Sequence, residues 1–568
     1  MTNYQFTGGT ICAPATIPGT GAISIIRVSG KEALAIADKV IDTKEVPIAE
    51  TEGYRLRYGT VFEADGSVLD NVIVSVFRAP HSYTGENSVE ISCHASRFIV
   101  NKILELLVNA GARIAAPGEF TRRAFVNGKM DLAQAEAVAD VIASQSAASH
   151  RVAMNQLKGG FSSELKVLRE KLLTMTSLLE LELDFSEEDV EFASRKELGQ
   201  LVDDSLTHIR RLTASFSRGN AIKNGVPVAI VGATNTGKST LLNALLGEER
   251  AIVSDIAGTT RDTIEETLNI DGILFRFIDT AGIRETDETI EKIGIDRTFK
   301  KLGEAAVVLG MTDLSRGEAA VLEDADFILS KVNEMGGVKN VAAENDGSET
   351  GGAHLAGTDG VSLAETDGTS LGETGGASLA ETDRTSRSET GGASRHGHGD
   401  GQERKVVILV NKCDVAGDFY RDDNGTGYGS GNDLGENMAE IGGNKNVNHD
   451  NNIVSLIENK YDNCKVIPIS AKTGKGLSTL TKTLGEIGSE ITGSTDETLV
   501  TNVRHYEALV RAASALERVR AGLHIATLPP DLIAQDLREA LYHLGEIVGE
   551  ITTDETLGNI FRNFCIGK

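Results

Sequence analysis

Along residues 1–125 short apolar runs alternate with polar ones. Residues 23–28, 54–62 and 72–77 are rich in β-branched and aromatic side chains. Val89, Ile91 and Cys93 alternate with polar neighbours, as in a half-buried strand. Residues 98–108 have helical spacing, so this stretch reads as mixed α/β. From Asp131 to Leu157 the period changes. Leu132, Ala135, Val138, Ala139 and Ile142 recur at three and four in an Ala-rich segment closed by Gly159-Gly160. That spacing predicts one long helix with a glycine stop. Residues 165–183 and 198–216 continue as helices. At Pro227 strand-like runs (228–231, 275–278, 406–410, 466–469) begin to alternate with helical segments, the rhythm of a parallel sheet. After Leu477 the pattern is helical again. Pro529-Pro530-Asp531 opens a final helix with Leu537, Leu541, Leu544 and Val548 on one face.

The expected architecture is multidomain, α+β and α/β. A mixed α/β N-terminal domain covers 1–125. A discontinuous helical domain takes 126–222 and 489–568, and an inserted α/β domain spans 223–488. Two stretches fit no core. Residues 348–395 are six tandem octapeptides, SETGGAHL, AGTDGVSL, AETDGTSL, GETGGASL, AETDRTSR and SETGGASR. A short repeat invites a solenoid reading. Each copy ends in Leu or Arg, however, and has no β-branched pair to face inward, so low-complexity disorder is expected. Residues 417–452, rich in Gly, Asn and Asp, read the same way. The insertions are placed at about 337–403 and 417–452, where added loop length costs little.

At 568 residues the chain has room for three or four domains. Acids outnumber bases 83 to 56, for a net charge of −27. That excludes a protein that coats nucleic acid by bulk positive charge and leaves a local basic patch open. Cys12, Cys93, Cys413, Cys464 and Cys565 are scattered, with no C-x-x-C pair. Neither a zinc ribbon nor a disulfide scaffold is expected, and reduced thiols are. The first 26 residues show no secretory pattern, and runs such as 305–309 are far shorter than the ~18 residues that span a bilayer. A soluble, cytoplasmic protein is expected.

The chemistry begins where run 228–231 enters Gly232-Ala-Thr-Asn-Thr-Gly237-Lys238-Ser239 and a helical segment follows. In G-x4-G-K-S, glycines let backbone N–H groups wrap a phosphate chain and the helix N-terminus adds positive dipole. Lys238 then reaches the β- and γ-phosphates, and Ser239 holds Mg²⁺. Asp279-Thr280-Ala281-Gly282 follows the strand pattern at 275–278. An acid there supports Mg²⁺ and a glycine senses the γ-phosphate. Asn411-Lys412-Cys413-Asp414 follows 406–410, and the Asp414 carboxylate can accept from guanine N1–H and its exocyclic amine, which adenine cannot offer. Ser470-Ala471-Lys472 follows 466–469 and closes over the base. Each piece alone fits a surface loop. All four in order, each after a strand, describe a guanine nucleotide site.

This order resembles a Ras-like P-loop GTPase. The resemblance adds Gly258-Thr259-Thr260-Arg261-Asp262 as a switch, with Thr260 as second Mg²⁺ ligand. The residue after Gly282, where Ras-type enzymes use Gln to orient water, is Ile283. Hydrolysis therefore needs another device for the water and another source of positive charge.

The whole chain resembles the MnmE (TrmE) family of tRNA modification GTPases. The match is carried by Pro117-Gly-Glu-Phe-Thr-Arg-Arg-Ala-Phe125, Lys129-Met-Asp-Leu-Ala-Gln-Ala-Glu136, the Gly258–Asp262 run and the terminal Cys565-Ile-Gly-Lys568. It implies a K⁺ ion in the place of an arginine finger. Asn235, Ser254, Ile256 and Thr259 match its ligands, within a nucleotide-contacting set that includes Thr236, Thr240, Asp255 and Ala257. Glu291 matches the catalytic glutamate that positions water indirectly. The resemblance also implies an N-terminal tetrahydrofolate-binding and dimerising domain, with Arg27, Glu90, Lys129 and Lys568 at the folate and Cys565 needed for modification. The family's usual His-Gly-Gly reads His94-Ala95-Ser96 here, which predicts a narrower pocket.

The implied protein is a homodimeric GTPase that uses GTP, Mg²⁺, K⁺ and a 5-formyl- or methylene-tetrahydrofolate. With an FAD- and NADH-using MnmG-like partner, in a heterotetramer, it installs a 5-carboxymethylaminomethyl-type group on the wobble uridine of certain tRNAs. The rival reading is a regulatory or ribosome-assembly GTPase, which needs the nucleotide motifs but neither a folate domain nor a terminal cysteine. A second rival is a scaffold whose insertions recruit partners.

Overall fold

The computed structural model describes residues 8–184, 195–249, 266–278, 305–334, 404–414, 453–461, 464–493, 497–525, 529–562, 564 and 567. The octapeptide repeats and the 417–452 insertion lie outside them. The first β-rich runs form β1 (Ile11–Pro14), β2 (Ile23–Ser29), β3 (Ile41–Asp42), β4 (Arg55–Phe62), β5 (Val68–Phe77), β6 (Ser88–His94) and β7 (Arg113–Ile114). They pair in the order β3-β4-β5-β6-β2-β1-β7. Pairing is antiparallel except between β1 and β7. Helices α1 (Ala33–Val40) and α2 (Arg97–Asn109) cover one face, where Leu34, Ile36, Ile103 and Leu107 pack on Ile26, Val28, Val74 and Ile91. The alternate residues point to the other face. There the register sets Arg27 opposite Glu90, and Tyr58 opposite Ile73. Leu56, Tyr58 and Ile73 on that face are 64 %, 67 % and 48 % exposed, an apolar patch without a partner among the described residues.

Helix α3 (Glu119–Val126) leads into a helical layer of α4 (Leu132–Ala143), α5 (Ala147–Leu157), α6 (Gly160–Asp184), α7 (Arg195–Ala214) and α8 (Phe216–Asn224). The single long helix expected over 131–157 is two helices. Ser144 is extended (ψ 126°), and Ser146 caps α5 by exchanging hydrogen bonds with Ser149. The three-residue gap preserves the apolar phase, so the period alone does not reveal it. The expected glycine stop is present: α5 ends at Leu157 with Lys158 as its cap and Gly159 in a left-handed conformation (φ 84°) just beyond it, and a new helix, α6, starts at once at Gly160.

The second helical stretch adds α13 (Val503–Leu523), α14 (Pro530–Val548) and α15 (Asp554–Arg562). The helix opened by Pro530 is therefore not the last. Leu165, Leu172, Leu206 and Ile209 from the first stretch share a core with Leu509, Leu516, Leu537 and Leu544 from the second. Leu557 and Phe561 of α15 pack on Leu132 and Val138 of α4.

A buried charge cluster ties the two stretches together. Glu136 of α4 takes two hydrogen bonds from Arg504, at 2.9 and 3.1 Å, and meets His505 Nε2 at 2.7 Å. Arg504 also donates to the Glu546 and Ile547 carbonyls at the end of α14. Burial by itself would raise the Glu136 carboxyl, but His505 and Arg504 outweigh it and bring it from 4.5 to about 2. A depressed acid stabilises the fold above its unfolded pKa, and that stability drains away as pH falls from about 4.5 toward 2. The linkage is on the order of 3 kcal/mol. Glu136→Gln is expected to lower the thermal midpoint at pH 7 by about 5–10 °C and to flatten its fall between pH 5 and pH 3. Differential scanning calorimetry across that range checks both. An unchanged acid limb in the variant would contradict the assignment.

Between the helical stretches, β8 (Val226–Gly232), β9 (Glu266–Ile270), β10 (Ile273–Ile278), β11 (Val307–Asp313), β12 (Lys405–Asn411) and β13 (Cys464–Pro468) form a second sheet, ordered β13-β12-β11-β8-β10-β9. It is parallel except at β9. On one side lie α9 (Lys238–Glu249) and α12 (Leu477–Thr492), which bury Leu241, Leu245, Leu480 and Leu484. On the other, α10 (Glu318–Glu334) and α11 (Ile453–Lys460) bury Val321, Ile328 and Ile457. The C-terminal ends of β8, β11 and β12 share one edge, which is where ligands bind in open parallel sheets. No helix among the described residues is long and apolar enough to cross a membrane.

Candidate functional site

β8 ends at Gly232 and α9 begins at Lys238, so the G-x4-G-K-S loop joins a central strand to a helix N-terminus. Asn235, at the exposed tip, is left-handed (φ 64°). Thr236 is buried and turns its hydroxyl to the Ala233 carbonyl at 2.9 Å. Gly237 also has positive φ, and a side chain there would meet the Asn411 amide at 2.4 Å; only glycine lets the two loops touch. Lys238 Nζ donates to the Gly232 and Ala233 carbonyls at 2.9 and 2.8 Å. It fills the hollow of its own loop with positive charge, and burial lowers its pKa. Ser239 and Thr240 follow on the first turn of α9.

The base-reading loops converge on this phosphate loop. Asn411 is buried at the end of β12, donates to the Thr236 carbonyl at 2.6 Å and accepts from the Ala471 N–H at 3.0 Å. One side chain thus clamps the phosphate loop to the Ser470–Lys472 loop. Lys412 is left-handed (φ 64°) and Asp414 is exposed beside it. Ser470 is buried and bridges to Lys475 across its turn, while Lys472 is exposed. The structure therefore brings Asn235–Thr240, Asn411, Lys412, Asp414 and Ser470–Lys472 to one edge. Ser254–Thr260, Asp279–Gly282 and Glu291 lie outside the described residues. Among the described residues no group of three His, Cys, Asp or Glu could hold a metal ion.

The second candidate site lies on the outer face of the first sheet. Arg27 and Glu90 are cross-strand partners, joined at 2.9 Å through Nε and 2.8 Å through Nη2. The Arg27 guanidinium lies over the rings of Tyr83 and Phe120, 5.2 and 5.7 Å from their centroids. Phe120 belongs to the quoted Pro117–Phe125 run, whereas Tyr83 carried no sequence signal. Desolvation raises the Tyr83 phenol, which bonds Thr121 at 2.8 Å. Lys129 Nζ reaches the Pro80 carbonyl at 3.1 Å, at the start of the loop that carries Tyr83.

The C-terminus arrives at this place. Arg27 Nη1 donates to the Gly567 carbonyl at 3.4 Å, and a side chain at Gly567 (φ 96°) would sit 2.1 Å from the Pro14 carbonyl. The neighbouring Cys565 and Lys568 lie outside the described residues. His94-Ala95-Ser96 is set apart from the pair. His94 is four residues along β6 from Glu90, about 13 Å, and is held by Asp70 at 2.7 Å, while Ala95 is buried beside Gly21.

Buried ion pairs stiffen the frame. Arg123, 2 % exposed, binds Glu119 at 3.0 Å, Glu86 at 3.0 Å and the Gly9 carbonyl at 2.9 Å. Glu119 is desolvated, but Arg113, the Ala116 N–H and Arg123 hold its carboxyl below the usual range. The other four cysteines are buried, and desolvation pushes each thiol up to about 11, which leaves them inert.

Comparison with known proteins covers nearly the whole chain. Residues 132–565 match the family described as MnmE helical domain, and residues 10–129 match GTP-binding protein TrmE N-terminus. A protein of Parabacteroides distasonis named tRNA modification GTPase MnmE is 43 % identical over 98 % of this chain and 100 % of its own length. Proteins of the same name from Bacteroides thetaiotaomicron and Porphyromonas gingivalis are 42 % and 41 % identical, over 98 % and 100 % of this chain and 99 % of each relative.

Proposed function

The chain belongs to the MnmE family of tRNA modification GTPases, and from that premise we propose how its two sites divide the work. GTP is bound and hydrolysed at the edge of the second sheet. The folate-dependent one-carbon chemistry belongs to the outer face of the first. With an MnmG-like FAD- and NADH-using partner, the protein forms a 5-carboxymethylaminomethyl-type group at C5 of the wobble uridine of certain tRNAs.

The observation that carries the nucleotide half is the Asn411 clamp, because it makes the phosphate loop and the base loops one preformed pocket. GTP draws Lys238 off the Gly232 and Ala233 carbonyls and onto its own phosphates. The oxygen donors present suit hard cations: the Ser239 and Thr260 hydroxyls for Mg²⁺, and the Asn235 amide with the Ser254–Thr259 loop for K⁺. Bound Mg²⁺ and K⁺ supply positive charge against the phosphates. Glu291 acts on the attacking water indirectly.

At the folate site Glu90 reads the amidine-like edge of a pteridine with Arg27 beside it, while Lys129 and Lys568 meet the acidic tail. Gly567 beside Arg27 supports a C-terminal segment delivered to this site, and Cys565, two residues earlier in the sequence, is the residue needed for modification. The exposed Leu56, Tyr58 and Ile73 patch on the same face supports a homodimer through this domain.

The test separates the halves. Arg27→Ala loses a charged pair and is expected to weaken tetrahydrofolate binding by about 10–100-fold. In cells lacking their own enzyme it leaves the wobble nucleoside unmodified by mass spectrometry, while GTP turnover of the purified variant is unchanged. Normal modification in those cells would contradict the folate assignment.

A further inference from the structure

The lysine of the Asn411–Asp414 run has a partner outside every quoted motif. We propose that Asp313, the last residue of β11, is a positioning residue for guanine: it holds the Lys412 ammonium so that the lysine stem forms a fixed wall of the base pocket beside Asp414. The inference rests on the guanine nucleotide reading of this loop and deepens it.

β11 and β12 run in parallel with Asp313 opposite Asn411, so both reach the ligand edge together. Asp313 is buried, and its two oxygens have different tasks. Oδ1 accepts from the Ser315 N–H at 3.0 Å and its hydroxyl at 2.5 Å, capping the turn Leu314–Arg316. Oδ2 accepts from Lys412 Nζ at 2.6 Å. The turn orients the carboxylate, and the carboxylate then fixes the lysine. Burial favours the neutral acid, but the bonds from Lys412 and Ser315 outweigh it and keep the group ionised at neutral pH.

The other end of Lys412 is fixed as well. Its backbone is left-handed. Asn411 before it is clamped on both sides, and the Cys413 N–H after it donates to the Ile469 carbonyl at 3.2 Å. With backbone and ammonium both held, the four-carbon stem between them has little freedom. An untethered lysine would lose rotamer entropy each time a base settled against it. The tether removes that loss from the binding step. Its effect belongs to nucleotide release rather than association, because the contact forms after encounter.

Stopped-flow release of a fluorescent mant-GDP from the full chain tests this with Asp313→Asn, Lys412→Met and the double variant. Asp313→Asn is expected to speed release about tenfold, the loss of one charge-assisted hydrogen bond, with association unchanged. In the Lys412→Met background it is expected to add nothing. Ser315→Ala loosens the carboxylate without touching the pair. It gives a smaller acceleration in the same direction, and serves if Asp313→Asn does not fold. Unchanged release in Asp313→Asn, or an equal acceleration in the Lys412→Met background, would overturn the proposal. Loss of selectivity for mant-GDP over mant-ADP in the unaltered chain would instead sink the guanine reading beneath it.

Discussion

Replacing Asp414 by Asn is expected to convert the base pocket from guanine to xanthine. A carboxylate only accepts, and guanine offers two donors, N1–H and the exocyclic amine. An amide accepts at its oxygen and donates at its nitrogen, a pattern that matches xanthine N1–H and its C2 carbonyl. Asp414 is exposed at the mouth of the pocket, so the exchange disturbs no core packing. Against guanine the amide keeps one acceptor, now uncharged, and sets its own N–H against the exocyclic amine, so GDP is expected to weaken by about 10²–10³-fold while xanthosine diphosphate gains. Equilibrium titration with the two mant-nucleotides measures both. The Asn411 clamp lies on the far side of Lys412 and is unaffected, so phosphate-loop geometry is retained. Equal weakening of both nucleotides would show that Asp414 supports the loop rather than reads the base.

The largest effect is expected from the monovalent cation. The chain has Ile283 where a water-orienting Gln would stand, and Lys238 alone has to serve the phosphates from within the loop. Charge at an arginine-finger position is worth about 10³–10⁵ in rate, and an ion held between Asn235 and the Ser254–Thr259 loop is the proposed substitute. Asn235 is suited to the task. It sits at the open tip of the phosphate loop in a left-handed conformation that Asn tolerates better than most residues, which leaves its amide free of the loop's internal bonding to Thr236 and Lys238. On that proposal, exchanging Na⁺ for K⁺ is expected to raise turnover by about 10²-fold or more.

The parts of this molecule that were legible in the sequence are those where one local rule acts alone. Val89, Ile91 and Cys93 alternate because β6 has one covered face, and all three are buried. The phosphate loop and the Asn411–Asp414 run are legible because a ligand restricts each residue type. The break between α4 and α5 was hidden because Ser144–Ser146 leaves the Ala-rich period in phase; the reciprocal Ser146–Ser149 cap was its local signal. Helix α15 is short, and its apolar Leu557 and Phe561 gain meaning only against α4, far away in the chain. Neither β11 nor Asp313 was singled out in the sequence, because the role of Asp313 depends on β11 and β12 ending at one edge. The pairing of Arg27 with Glu90 likewise depends on strand register across 63 residues.

The most direct measurement is GTP turnover in KCl against NaCl at matched ionic strength, for the unaltered chain and for Asn235→Ala. Faster turnover in KCl, with the difference abolished in the variant, is the predicted result. Equal rates in the two salts for the unaltered chain would contradict the cation-assisted account.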